Sequence, residues 1–242
     1  MSNTWAVFDV PSIAWQEFHG RARKDPSAAV VGTLTRCAQL ARDYGASTRT
    51  VWCFDAPPYS RAALLPTYKR TRTIGAEGDN GELREAKNAL REHLTSLWRD
   101  GLQGSGLQNV LGASGYEADD FVASACDSIP PGDKAVMVSR DFDLFQLLSS
   151  RVSFHDSFEN VLKTRDTFRA AHGIHPSQWV EVKALAGCSS DDVPGAPGVG
   201  EVTAVKYLRG DLPFDGIPYR RCVDWVKTDQ YAVGVDTKTP TY

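Results

Sequence analysis

Short apolar runs of strand character alternate along this chain with stretches whose apolar residues recur at helical spacing, and the strand runs end in aspartate. Thr4 to Phe8 (TWAVF) reads as a buried strand that delivers Asp9, with Pro11 stopping further pairing. Asp25 and Pro26 have the character of an N-cap and a first helical residue, and Val30, Val31, Leu34, Cys37, Ala38 and Ala41 carry a helix to a Gly45 cap. A second strand, Thr50 to Phe54, ends in Asp55, and further strands are predicted at Ala135 to Val138 and Val152 to Phe154. Strand and helix in alternation imply right-handed crossovers and a largely parallel sheet. The strand ends then converge on one edge, where open sheets of this kind bind ligands.

The most informative run is Val136 to Leu148, VMVSRDFDLFQLL, which places Asp141 and Asp143 where a strand gives way to a helix. Asp143 as a helix cap beside a solvated Asp141 is one reading. A shared cation is the other, because two carboxylates so close repel unless a cation or proton intervenes. Ser114 to Asp127 (SGYEADDFVASACD) adds Glu117, Asp119 and Asp120 at a helix start, with Ser114 and Glu117 at the spacing of a capping box. That box leaves Asp119 and Asp120 unexplained. A further acidic stretch, Ser189 to Gly200 (SSDDVPGAPGVG), joins a helical stretch ending near Gly187 to another at Glu201 to Leu208 through a hairpin. Backbone N–H groups at the start of the second helix would there be available to a phosphate.

Between Ala56 and Ala113 the chain changes character. YSRAALLPTYKRTR is basic with interleaved aromatics, and Gly75 to Gly81 and Gly101 to Gly106 read as glycine-rich loops. Leu83, Ala86, Leu90, Leu94 and Leu97 form an apolar stripe best explained by core packing. Arg84, Lys87 and Arg91 fall on other faces, a solvated surface unless a phosphate partner is independently indicated.

Composition changes this picture in three ways. At 242 residues and 42% hydrophobic content the chain can bury a substantial core. No apolar run approaches membrane-spanning length, and the expected location is the cytoplasm. Five cysteines without a CxxC pair argue against a disulfide framework or zinc site, and Cys37, Cys53 and Cys126 suit buried positions. The formal net charge of -3, taken as a single sum, speaks against a polyanionic partner. Setting aside the acids of the stretches above as one cluster reverses that conclusion, since the remaining surface is net positive around Arg61, Lys69, Arg70 and Arg72.

FDAPPYSRAALLPTYKRTR, GYEADD, VSRDFDLFQLL and HGIHPSQWVEVKALAGCSSDDVPGAPGVGEVTAVKYL, in this order, resemble the 5′-nuclease family of phage flap endonucleases and the 5′-to-3′ exonuclease domain of bacterial DNA polymerase I. The resemblance runs from about Asp9 to Leu208. It implies an α/β fold with a mostly parallel twisted sheet flanked by helices, PIN-like, with a helical arch and a helix-three-turn-helix that binds duplex DNA. The expected layout is a catalytic core over 1–160, its arch at about 60–110, and a DNA-binding region with a tail over 161–242. Asp9, Asp55, Glu117, Asp119 and Asp120 match the acids around one divalent metal, and Asp141, Asp143 and Asp191 those beside a second, with Asp192 as an additional candidate. Magnesium or manganese suits such ligands. Two-metal phosphodiester hydrolysis of DNA follows, with Asp119 and Asp141 central to catalysis. Lys69 matches the basic residue at the scissile phosphate and Tyr68 an aromatic that stacks on a terminal base, while Arg61 and Arg72 are phosphate contacts. Gly198 and Gly200, with Gly195, match a helix-hairpin-helix that grips duplex backbone, often with potassium. The expected partner is DNA with a 5′ flap or 5′ single strand, RNA/DNA hybrids being a further candidate, and the expected state is a monomer without membrane attachment.

The chain departs from the family at three places. Val10 follows Asp9 where many relatives have glycine. In Gly187-Cys188-Ser189-Ser190-Asp191-Asp192 the family's GDxSDN has lost one carboxylate to Cys188, and Asp192 stands for asparagine. Asp211 to Tyr242 has no match, and Pro213, Pro218 and Pro240 predict an irregular tail. The alternative from another class is a DNA-junction binding protein whose catalysis is impaired by Cys188. A phosphatase with Asp9 as nucleophile would need an acid at Pro11, and a PIN-like ribonuclease would not need the hairpin.

Overall fold

The computed structural model describes residues 2–22, 24–70, 81–228 and 231. The chain divides into two compact units, Met1–Tyr59 with Glu77–Leu144 and Ser149–Lys163, and Ser60–Ala76 with Phe145–Leu148 and Thr164–Tyr242.

The first unit is built on a six-stranded sheet of β1 (Thr4–Asp9), β2 (Thr50–Cys53), β3 (Val110–Leu111), β4 (Lys134–Ser139), β5 (Val152–Asp156) and β6 (Val161–Lys163). Their spatial order is β3-β2-β1-β4-β5-β6. All neighbours are parallel except β5 and β6, which form an antiparallel edge. Apolar residues run continuously through β1 and β4 because both faces of these central strands are covered. On one face Phe8, Trp52, Val136 and Val138 pack with residues of α1 (Val10–His19), α2 (Pro26–Asp43) and α3 (Gly81–Ser96). Against the other lies α4 (Ala118–Ser128), with Val122 buried. Leu90 and Leu94 are buried, as their helical stripe predicts.

Three local readings change. Pro11 does not merely stop β1; it occupies the first turn of α1, where its missing N–H has no helical acceptor to lose. The expected loop at Gly101 is helical, since a π-helical turn spans Leu97–Gln103. The capping box expected of Ser114 with Glu117 lies one turn further on, where Glu117 is the N-cap and its N–H donates to the Asp120 carboxylate at 2.9 Å.

The second unit contains α5 (Arg165–His172), α6 (Trp179–Ala186), α7 (Glu201–Leu208) and α8 (Ile217–Val226). Phe145, Phe168 and Trp179 pack edge on or tilted at centroid distances of 5.5 to 5.8 Å. The tail expected to be irregular therefore contains a helix. Pro218 sits in the first turn of α8, and the buried Trp225 indole donates to Ala184 O at 2.9 Å.

Candidate active site and its relatives

In the first unit, β1, β2 and β4 lie side by side and parallel, so their C-terminal ends share one edge of the sheet. β1 ends in Asp9, β2 is followed by Asp55, and β4 is followed by Asp141. Asp9 is 3% exposed and caps α1 by accepting the Ser12 N–H at 3.2 Å. Its other oxygen accepts the Ser139 hydroxyl at 2.6 Å. The same Ser139 oxygen accepts the Asp141 N–H at 2.9 Å, and Asp141 in turn accepts the Asp143 N–H at 2.9 Å. Asp141 therefore caps the start of this turn. Ser12 Oγ lies 3.2 Å from Ser139 Oγ and accepts the Arg140 N–H at 3.0 Å. A 3-10 turn, Phe142–Leu147, follows the strand.

Asp55 joins this edge to the start of α4. Its carboxylate accepts the Ala118 N–H at 2.8 Å and the Tyr59 hydroxyl at 3.4 Å, while Ala56 N–H donates to Tyr116 O at 3.0 Å. That seam brings Glu117, which is buried, and Asp119 and Asp120 in the first helical turn to the Asp55 loop. A helix N-terminus tolerates such acids because its free N–H groups carry partial positive charge.

The electrostatics show what the clustering costs. Burial pushes the Asp9 carboxyl up to about 7; the Ser139 and Ser12 hydrogen bonds oppose the rise, and the like charges of Asp55 and Asp141 add to it. Burial likewise raises the Cys53 thiol well above its ordinary value, with Asp9, Cys126 and Asp119 contributing, so Asp119 lies within electrostatic reach of the same strand ends. All-oxygen donors whose ionisation is mutually unfavourable suit a hard divalent cation. Among the described residues no group of three Asp, Glu, His or Cys side chains is arranged to hold an ion by itself. Magnesium, which retains several waters, does not require one that is.

The remaining predicted residues belong to the second unit. Lys69 has φ +52°, a left-handed conformation uncommon for a residue with a side chain. Its N–H donates to Asp191 O at 2.9 Å, its ammonium lies 4.0 Å from the Asp191 carboxylate, and it stands 5.2 Å from the Tyr68 ring centroid. Asp192 also has positive φ, +56°, and ends the 3-10 turn Ser189–Asp191. Arg61 begins a turn in which its carbonyl accepts the N–H groups of Leu64 and Leu65. Arg72 lies outside the described residues.

The loop between α6 and α7 closes through an antiparallel bridge of Cys188 with Val193. Gly187 and Gly195 meet backbone to backbone there, and a Cβ on Gly187 would stand 2.6 Å from Gly195 N. Gly198 has φ +71° and lies against the Arg221 guanidinium, while Gly200 is the N-cap of α7 without a side-chain cap. Cys188 is half-buried, its Sγ 3.2 Å from Ser190 Oγ.

Ser12 and Ser139 are the site residues that sequence reading missed. Each flanks a recognised acid, yet neither has a distinctive motif; only the pairing of β1 with β4 brings together residues so far apart in the chain.

The first unit thus has a mostly parallel sheet with acids on the C-terminal edge of adjacent strands. The bacteriophage T5 5′-exonuclease, in a structure with bound divalent zinc ions, superposes with a TM-score of 0.79 at 20% identity over 96% of this chain and 88% of the other. The catalytic core of Rad2 in complex with DNA substrate gives a TM-score of 0.51 at 15% identity, covering 100% of this chain and 81% of that one. At those identities the likeness is one of fold. The family is shown by sequence: residues 4–173 match the profile described as 5′-3′ exonuclease, N-terminal resolvase-like domain, and the chain belongs to this family. A 5′-3′ exonuclease of Halalkalibacterium halodurans is 34% identical over 71% of this chain and 54% of its own length. Flap endonuclease Xni of Vibrio parahaemolyticus is 31% identical over 73% of this chain and 63% of its own. The chain thus spans between about half and two thirds of the length of these relatives.

Proposed function

We propose that this protein is a divalent-metal-dependent, structure-specific 5′ nuclease that hydrolyses DNA phosphodiesters at 5′ flaps and 5′ ends, acting as a monomer in the cytoplasm. The observation that carries the reading is the meeting of Asp9, Asp55 and Asp141 at the ends of neighbouring parallel strands, with Glu117, Asp119 and Asp120 on the Asp55 seam. The names of the relatives and of the T5 and Rad2 structures support it.

Asp9, Asp55, Glu117, Asp119 and Asp120 would hold one magnesium or manganese ion, and Asp141 and Asp143 would contribute to a second. Bound there, such ions lower the pKa of a water nucleophile and stabilise the charge on the attacking and leaving oxygens. Ser139 and Ser12 orient Asp9 and Asp141 toward this task through the hydrogen bonds described above. In the second unit, Lys69 offers positive charge to a DNA phosphate and Tyr68 a face for a terminal base. The hairpin of Gly198 and Gly200, with a potassium ion, grips duplex backbone through free N–H groups at the start of α7. The Cys188 loop favours the second reading, a junction-binding protein with impaired catalysis.

The deciding experiment is a labelled 5′-flap duplex incubated with and without magnesium, with Asp141→Asn as control. Magnesium-dependent release of the flap by the wild type alone supports the nuclease. Tight binding without cleavage in either magnesium or manganese replaces it with the junction-binding reading.

A further inference from the structure

We propose that Arg140, laid on the ring of Phe158, is a phosphate-binding residue that positions the DNA strand beside the acidic strand ends; the inference rests on the nuclease reading above. Arg140 stands between Ser139 and Asp141, and its N–H is held by Ser12 Oγ at 3.0 Å. Its guanidinium carbon lies 3.9 Å from the centroid of Phe158. Phe158 is 60% exposed, so its ring is not part of the core. It is nevertheless held firmly. The turn between β5 and β6 that carries it is pinned by the buried Asp156, which accepts the Phe158 and Glu159 N–H groups at 3.0 and 3.1 Å. Gln16 donates to Ser157 O at 2.9 Å, and Arg36 to Asn160 Oδ1 at 2.7 Å.

A guanidinium stacked on an aromatic face keeps its N–H edge available, and that planar fork matches two oxygens of a phosphodiester. The exposed Arg209 meets the Asp211 carboxylate at 2.9 Å, and the half-buried Arg165 meets Asp166 at 3.1 Å. Among the described residues no carboxylate pairs with Arg140. The position also calls for a cation, since Asp141 and Asp143 follow at once and repel any phosphate that approaches this edge. The ring restricts the long side chain to one direction before DNA arrives, which reduces the ordering lost on binding.

The test is affinity for a 5′-flap duplex in EDTA, where no cleavage occurs, measured across a range of salt concentrations. Arg140→Ala should bind several-fold more weakly, and the slope of log affinity against log salt should fall by about 0.9, the signature of one lost phosphate contact. Arg140→Lys should keep the slope and lose part of the affinity, because the charge remains without the fork or the stack. Phe158→Leu should behave like Arg140→Lys. Both side chains are exposed, so the melting temperature of the metal-free protein should not move. Arg151→Ala, next to the opposite end of β5, serves as the control for general electrostatics. An Arg140→Ala slope equal to that of wild type overturns the inference, as does an equal fall in Arg151→Ala. A wild type that binds no flap DNA overturns the nuclease reading and this inference together, whereas the first two outcomes leave that reading intact.

Discussion

The Ser139 hydroxyl joins two candidate metal-binding acids, donating to Asp9 at 2.6 Å and accepting the Asp141 N–H at 2.9 Å. The first bond opposes the rise that burial imposes on the Asp9 carboxyl, so it favours the ionised ligand. Losing a group that orients metal ligands typically costs about 10–100-fold in metal affinity or activity. Ser139→Ala should therefore raise the magnesium concentration for half-maximal binding by roughly that range, and Ser139→Thr should restore much of it. Calorimetric titration of metal into both variants checks this directly. Unchanged binding in Ser139→Ala would mean that Asp9 is placed by Ser12 and the backbone alone.

Lys69 enters through its contact with Asp191, at 4.0 Å. A cation that stabilises charge developing on a phosphate contributes in the transition state rather than in binding, and by analogy with one preorganised donor Lys69→Ala should cost about 2.7–4 kcal/mol in the single-turnover rate. Rapid-quench kinetics at saturating DNA separate the two roles. A variant that loses affinity while keeping its rate would show that Lys69 only holds the strand.

The sequence resemblance implies a carboxylate where this chain has Cys188. A neutral thiol adds no charge, and a thiolate is a soft ligand poorly matched to magnesium. Wild-type cleavage should therefore need more magnesium than Cys188→Asp, and should improve in manganese. The half-saturating metal concentration in single-turnover cleavage of a 5′ flap reports the difference. Superimposable titration curves would show that position 188 does not govern metal occupancy.

Asp156 makes the stability of the β5–β6 turn depend on acid. Burial by itself would raise its carboxyl, but the Glu159 and Phe158 N–H groups and Lys163, at 3.2 Å, outweigh it and hold the pKa below the ordinary carboxylate value. Because the folded-state pKa is the lower one, this stabilisation is present above the unfolded pKa and is lost as pH falls through the folded pKa. Asp156→Asn should cost about 1–3 kcal/mol at neutral pH, and the deficit should shrink on acidification. Urea unfolding at neutral and acid pH measures both; a deficit independent of pH would assign the effect to packing.

Much of the architecture was legible in the sequence because it rests on local rules. Apolar runs made β1, β2 and β4, the Asp25-Pro26 pair began α2, with Asp25 accepting the Ala28 N–H at 3.0 Å, and a stripe of leucines buried one face of α3. The acids at strand ends followed from the same reading, since a strand that stops at a charged residue presents it at the sheet edge. What only the tertiary structure decided involves partners distant in the chain. Ser139 meets Asp9 across 130 positions, and Ala118 meets Asp55 across 63. Neither contact has a periodic signal, because it depends on which strands become neighbours. The prolines were ambiguous for a related reason: Pro11 and Pro218 end a pattern when read locally, yet in a first helical turn they have no N–H bond to lose, and packing selects the helix. The charge of Asp9 was beyond the sequence altogether, since it is set by the burial and the like-charged neighbours that the folded sheet imposes.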